Sequence, residues 1–282
     1  MHILLIHQAF AALDEAGGTR HHELARYLQQ NGYRVTVIAS PVSYLTGERR
    51  AKQARKQIDD QGVTILRSFT FKALHRSFIW RVFSFFSFMI SSFIAGLFIH
   101  RVDLIWGTTP PIFQAVTAWL LARIKRVPYL LEVRDLWPSF AVAVGVLKNK
   151  KLIRLSEWLE RFLYSHADQV VVNSPGFLDH VKAEGAKRLA LIPNGADPSM
   201  FNPDSKGVQF RQKYGLEKQF VVLYAGAHGL SNDLEVVLDA AIHLSDEPAI
   251  KIVLLGSGKE KPHLKEYAEQ NHLENLVFLP PL

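Results

Sequence analysis

The stretch IWRVFSFFSFMISSFIAGLFIHR, residues 79–101, contains eighteen consecutive uncharged positions, Val82 to Ile99, with Arg81 before them and His100-Arg101 after. Eighteen apolar residues is the lower limit for a helix that spans a bilayer and more than most core helices use. Short runs rich in Val, Ile and Leu lie on both sides of it: ILLIH, RVTVIAS and VTILR before, VDLIWG, YLLEV, QVVVN and LALIP after. Alternating with helical patterns, these runs read as strands of one α/β sheet, parallel and covered by helices on both faces. If 79–101 crossed a membrane once, strands 2–7, 34–40 and 63–67 would lie on one side and strands 102–107 and 128–133 on the other. A sheet cannot pair its backbone through lipid. The segment must return to the side it left.

Inside it, Ser84, Ser87 and Ser91 fall at helical spacing with Ala95 next in line, whereas Phe83, Phe86, Met89, Ile90, Phe93 and Leu97 lie largely elsewhere around the helix. Such a helix can lie in one leaflet, its small stripe against protein and its aromatic side in lipid, with Trp80 and the flanking arginines at the headgroups. The run RRAKQARK, residues 49–56, has five cations and no acid. Near an anionic cytoplasmic leaflet each cation adds roughly 1 kcal/mol of attraction. The alternative is a hydrophobic helix buried between the sheet and its neighbours. The membrane-associating segment is expected to cover residues 72–101.

At 282 residues and 48% hydrophobic, the chain can bury two ordinary cores. It has no cysteine, which excludes disulfides and thiolate sites and fits a reducing compartment. MHILLIH lacks the basic start and cleavage site of a secretory signal, so the chain is expected to start in the cytoplasm. A net charge of +7 suits anionic partners: nucleic acid, phosphorylated metabolites or an acidic lipid surface. A first domain is expected over residues 1–198 and a linker over 199–217, where NGADPSMFNPDSKG (194–207) breaks the alternation. A second domain, 218–282, shows three strands, FVVLYAG, IKIVLLGSG and NLVFLPPL, and two helices. Doubly wound domains normally carry five or six strands, so this one is expected to be partial.

Chemistry should gather outside the carboxyl ends of the strands. After the first strand, Gly17-Gly18 precede Thr19, a candidate helix N-cap. A glycine turn at a helix start can present N–H groups to a phosphate, or it can simply make a tight turn. EVRDLWP, residues 132–138, ends another strand: Arg134 can grip a phosphate and Asp135 can accept from a sugar hydroxyl or take a proton. The pair can equally cap a turn. IPNGAD, 192–197, puts Asn194 and Gly195 at the end of the first domain. In the second domain, YAGAHGLSNDL brings Gly226, His228 and Gly229, and LLGSGKEK brings Gly256, Gly258 and Lys259. None of these turns matches G-x-G-x-x-G or a P-loop, which disfavours a nicotinamide enzyme. His21-His22 lack the carboxylate and spacing of a metal site.

Taken together, GGTRHHELARYLQQNGYRVTVIAS, RDLWP, IPNGAD, YAGAHGL and LLGSGKEKPHLKEYAEQNHLENLVFLPPL resemble the retaining, nucleotide-sugar-dependent glycosyltransferases of family four, and within it the L-fucosamine transferases of bacterial O-antigen and capsule assembly. The resemblance implies a GT-B fold with two Rossmann-like domains. The first takes the acceptor, here a polyprenyl-diphosphate-linked sugar, and the second takes the donor. By position, Gly17 and Gly18 would approach the donor diphosphate or the acceptor, while Gly226, His228 and Gly229 would line the diphosphate site. Gly256 and Gly258 would lie near the nucleotide, with Lys259 beside them, and Asp135 would be the catalytic contact. Three departures stand out. Arg134 occupies the place where relatives carry a histidine, the Arg and Lys that hold the diphosphate in relatives are here Ala227 or His228 and Asn232, and the family's paired glutamates are expected beyond residue 282. The resemblance implies no metal ion, no other cofactor and no nucleic-acid partner. It implies residence on the inner face of the plasma membrane. The other reading is a catalytically silent chain that binds the lipid-linked acceptor and needs a second chain for the donor half.

Overall fold

Strand β1 (His2–Ile6) is buried at every position, and its alternation sends Leu4 and Ile6 into one core and Ile3 and Leu5 into another. A strand with two buried faces requires helices on both sides. The computed structural model, which describes residues 1–11, 18–43, 54–72, 78–195 and 202–281, supplies them. In chain order there follow α1 (Arg20–Gln30), β2 (Arg34–Ala39), β3 (Lys56–Ile58), β4 (Thr64–Arg67), α2 (Phe78–Leu97), β5 (Leu104–Thr109), α3 (Ile112–Lys125) and β6 (Tyr129–Val133). Next come α4 (Ser139–Ala143), α5 (Lys150–His166), β7 (Gln169–Val172), α6 (Leu178–Ala183) and β8 (Leu189–Leu191). The sheet order is β3-β4-β2-β1-β5-β6-β7-β8, parallel throughout except for the antiparallel edge strand β3. Because β1 lies between β2 and β5, the winding reverses there, and the carboxyl ends of β1 and β5 flank the crevice where such sheets bind ligands.

α2 connects β4 to β5, two strands of this one sheet, so it is a crossover rather than a membrane crossing. It packs on α3, where a Cβ on Gly96 would collide with Leu121. The buried row is Ser84, Phe88, Ser92 and Gly96, not the Ser84-Ser87-Ser91 stripe expected from spacing. Ser87 and Ser91 sit at the seam with residues 69–71 instead. Phe71 N donates to Ser87 Oγ (2.8 Å) and Ser91 Oγ donates to the Phe69 carbonyl (2.5 Å), which satisfies both hydroxyls on a neighbouring backbone. The opposite row, Phe83, Ile90 and Ile94, is more than half exposed, and only 22% of Trp80–Leu97 is buried. Phe93, Met89 and Leu97 are half-buried, Phe93 and Leu97 packing against the core.

The chain divides into two compact units, Met1–Ala196 and Asp197–Leu282. The second contains α7 (Val208–Tyr214), β9 (Phe220–Ala225), α8 (Glu235–His243), β10 (Ile250–Leu255), α9 (Lys261–Gln270) and β11 (Leu276–Leu279), with a parallel sheet in the order β11-β10-β9. α7 lies inside the stretch read as linker, and its Phe210 and Tyr214 pack against a cluster containing Val253 and Leu279. β9 leaves Phe220, Val222 and Leu223 exposed. Of RRAKQARK, residues 49–53 lie outside the described residues, and Lys56 opens β3.

Candidate functional site

In the first unit the carboxyl ends of β1, β5 and β6 converge on one carboxylate. Glu132, on β6, is fully buried. Its Oε1 accepts from Arg20 Nε (2.7 Å) and its Oε2 lies 2.6 Å from His21 Nε2, both residues coming from the first turn of α1. Burial alone would raise the Glu132 pKa, but His21 and Arg20 outweigh it and pull it down to about 2. Burial lowers the His21 pKa, with Glu132 opposing, and pushes His7 well below its ordinary value. The rings of His7 and His21 are 4.1 Å apart. Arg20 and Glu132 form an ion pair, beside two imidazoles whose pKa values burial lowers. Arg20 also donates from Nη1 to the Pro193 carbonyl and from Nη2 to the Ile192 carbonyl, both at 2.7 Å, which holds the chain after β8 beside α1.

Sequence reasoning passed over Arg20 and Glu132, and expected surface or supporting roles for His21 and His22, both of which are buried. The available signal was a carboxylate in the middle of the apolar run YLLEV, since such a group is buried only with partners.

Gly18 is exposed ahead of α1, with no atom near a hypothetical Cβ, and Thr19 occupies the N-cap position while its hydroxyl donates to Glu23 (2.7 Å). Gly17 lies outside the described residues. Asn194 and Gly195 are exposed next to the carbonyls that Arg20 holds. Arg134 directs Nε to the Thr109 carbonyl (3.3 Å) and Nη2 to the Pro110 carbonyl (2.9 Å), clamping the turn after β5. Gln114, on α3, ties the same region to β1. It donates to Thr108 Oγ1 and the Pro110 carbonyl and accepts from Gln8 N. Asp135 projects beside this clamp into a cavity of about 460 Å³ lined by α2, α4, α5 and the turn after β5. The apolar walls raise its carboxyl pKa, and Arg134 acts in the opposite direction. An accessible carboxylate at the edge of an enclosed space can hold a hydroxyl or exchange a proton with it.

In the second unit the two glycine turns pack on each other backbone to backbone. A Cβ on Gly256, whose φ is +147°, would collide with the Gly226 carbonyl, and one on Gly258 with the His228 carbonyl. Gly226 is exposed and Gly229 is half-buried. His228 departs from the expected role as a phosphate donor. Its backbone N donates to the Ser257 carbonyl (2.9 Å) and its carbonyl accepts from Glu260 N (3.0 Å), so the residue is tied to the neighbouring turn. The ring goes inward with it, fully buried near Tyr224 and Phe278. Burial, then Lys261, lowers its pKa. Lys259 is exposed, whereas Lys261, not singled out from sequence, joins Gly256 and Leu279 through their carbonyls (2.6 and 2.7 Å).

A family model described as a glycosyl transferase 4-like domain matches residues 16–195, which hold every site residue described above for the first unit except His7 and Gln8, just after β1. The chain belongs to this family. Two known proteins similar to this chain carry names from bacterial surface-polysaccharide assembly. The colanic acid biosynthesis glycosyl transferase WcaI of Escherichia coli K12 is 27% identical over 271 residues, covering 92% of this chain and 66% of that protein. The O-antigen chain mannosyltransferase C of Escherichia coli is 28% identical over 137 residues, 47% of this chain and 35% of that protein. The matched region thus spans less than two thirds of the length of these relatives. Among solved structures, sucrose-phosphate synthase from Thermosynechococcus elongatus has a TM-score of 0.75 at 16% identity, covering 100% of this chain and 70% of that one. WaaG, a glycosyltransferase involved in lipopolysaccharide biosynthesis, has a TM-score of 0.66 at 14% identity, with 99% and 70% covered. The fold is that of the GT-B glycosyltransferases: α/β, with mostly parallel sheets.

Proposed function

We propose that the chain transfers a sugar, with retention of anomeric configuration, from a nucleoside-diphosphate donor to a lipid-linked acceptor in bacterial surface-polysaccharide assembly. The observation that carries this reading is Asp135. It stands at the carboxyl end of a central strand, inside the family-matching region, on the wall of a cavity of small-molecule size. In the proposed scheme Asp135 accepts a hydrogen bond from the acceptor hydroxyl in the first unit. The donor diphosphate goes to the exposed side of the turns after β9 and β10 in the second, where Lys259 is exposed; the Gly226 and Gly256 N–H groups themselves are spent on the Leu255 and Leu279 carbonyls. The departing phosphate receives the acceptor proton as the new glycosidic bond forms on the face it leaves, so stabilisation of diphosphate charge carries most of the rate. The scheme assigns no step to a metal ion or cofactor, and transfer in EDTA at the uninhibited rate is the corresponding expectation. An L-fucosamine donor is the first to try.

The exposed apolar row of α2 supports placement on the inner membrane face, lying in one leaflet with Trp80 and Arg81 at the headgroups. Replacing Phe83, Ile90 and Ile94 with serine should release the protein from anionic vesicles in a sedimentation assay. Unchanged sedimentation removes the membrane assignment.

The enzymatic test is incubation with UDP-, GDP- and dTDP-sugars and a polyprenyl-diphosphate sugar, with NMR of the product's anomeric centre. Asp135→Asn should lower kcat by about 10–100-fold, the loss of one charge-assisted hydrogen bond. An inverted product ends the retaining mechanism. A second reading has its own support in the exposed β9 residues Phe220, Val222 and Leu223, an apolar face that a further chain would cover. On that reading a folded sample binds no nucleotide sugar by calorimetry until the partner is added.

A further inference from the structure

We infer that the cavity beside Asp135 is the binding chamber for the isoprenoid stem of the acceptor; this rests on the lipid-linked reading above and names the site that reading requires. The walls are Phe85 and Phe86 from α2, Phe113 from α3, Phe140 from α4, Leu147, and Leu155 from α5. At about 460 Å³ the space falls within the range of roughly 300–1,000 Å³ typical of small-molecule sites. Almost every lining side chain is hydrocarbon, so a sugar or a nucleotide placed here would lose its hydrogen bonds to water and gain few in return. A hydrocarbon loses nothing.

Three further observations choose the occupant. First, the chamber opens onto exposed apolar surface on both sides: Phe86 and Leu155 are wall residues that are also exposed, and each continues a row, Phe83 and Ile90 on α2 and Leu152 and Trp158 on α5. A chain can pass from a bilayer into the chamber without crossing polar ground. Second, the surroundings are cationic. Residues 136–156 carry Lys148, Lys150, Lys151 and Arg154, four cations against the flanking Asp135 and Glu157, and Arg81 lies in the chamber wall. An apolar interior with a basic surround matches a hydrocarbon that carries a diphosphate head. Third, among the described residues the only acid in the wall is Asp135, the group assigned to the acceptor hydroxyl. A stem held here keeps the sugar it carries beside that carboxylate.

The probe is farnesyl diphosphate, titrated below its micelle concentration into the full chain and followed by calorimetry and by Trp137 fluorescence. It should bind at least about tenfold more tightly than inorganic diphosphate, with geranyl diphosphate in between, because each isoprene unit removes further apolar area from water. Leu155→Gln and Val146→Trp, both at exposed wall positions, should each weaken farnesyl diphosphate about tenfold and leave UDP-sugar affinity and the unfolding midpoint unchanged. The inference is overturned if inorganic diphosphate binds as tightly as the farnesyl compound, or if both variants bind it like the parent. It is equally overturned if linear dodecyl diphosphate binds as tightly, since the chamber would then take any hydrocarbon. The two readings fail separately. Farnesyl diphosphate bound without sugar transfer from any donor removes the transferase and keeps the chamber. Transfer to a lipid-linked sugar that both variants leave untouched removes the chamber and keeps the transferase.

Discussion

Two regions at the same end of the first unit's sheet are built on opposite principles. Around Glu132, each carboxylate oxygen meets a donor, and the guanidinium of Arg20 is shared among that carboxylate and two backbone carbonyls. A few residues along the chain, the walls beside Asp135 enclose an apolar space that the protein's own side chains leave open. A cluster whose polar groups satisfy one another has little left for a ligand. It fixes where α1, β6 and the end of β8 stand. Among the described residues nothing fills the chamber, and it is where an outside molecule gains most by entering. Charge density alone is thus a poor guide to where a ligand goes, because buried charges are the ones most completely used by the fold.

The largest expected effect comes from breaking the satisfied cluster. Glu132→Ala leaves Arg20 without its carboxylate partner and should cost about 3–5 kcal/mol in urea unfolding, the penalty for orphaning one member of a buried pair. Loss of less than about 1 kcal/mol would mean that the cluster is not structural, and the contrast with the chamber would fail.

Next in size is Gly258→Ala in the second unit. The new methyl would collide with the His228 carbonyl, a backbone atom that cannot rotate away, so the paired turns must separate at a cost of about 1–3 kcal/mol. Gly226→Ala is the milder control, since its nearest neighbour is the Tyr224 hydroxyl at 2.8 Å, the far end of a side chain that can move. Donor titration of the same variants tells whether the turns also carry the diphosphate.

Much of this was legible in the sequence. The apolar runs gave the strands and their parallel arrangement, and the impossibility of pairing strands through lipid made α2 a crossover before any coordinates. β3 was missed because its three residues, Lys56, Gln57 and Ile58, have no apolar run at all; the strand exists through pairing with β4. The inner face of α2 was misjudged because small polar residues suggest close packing. In the structure Ser87 and Ser91 serve a neighbouring loop, and Phe88 fills the space beneath. His228 was chosen as a reachable donor on sequence position alone. Burial, which decides between a ligand contact and an inward ring, depends on how the second turn packs and has no local signal.

Acid sharpens the comparison further. His7 and His21 have lowered pKa values in the folded state, mainly through burial, so the unfolded chain takes up protons first as pH falls below about 6.5. Each should subtract up to about 1.4 kcal/mol of stability per pH unit from there downward. Glu132 runs on a lower window. Its depressed pKa contributes stability above the ordinary carboxylate value of 4.5, and this is lost as pH falls from there towards about 2. His7→Gln should flatten the slope between about pH 6.5 and 5 in urea midpoints taken at several pH values, whereas a chamber-wall variant should run parallel to the parent.

The smallest expected effect lies on the chamber side and is the more discriminating for being small. Leu155 is 59% exposed although it lines the cavity, so the folded protein gains little from its hydrocarbon, and Leu155→Gln should change the unfolding free energy by no more than about 0.5 kcal/mol. A wall kept apolar at no benefit to the fold marks a surface whose partner arrives from outside. If the same substitution costs about 2 kcal/mol or more, Leu155 belongs to the core, the space beside Asp135 is closed in solution, and the two regions cease to differ in kind.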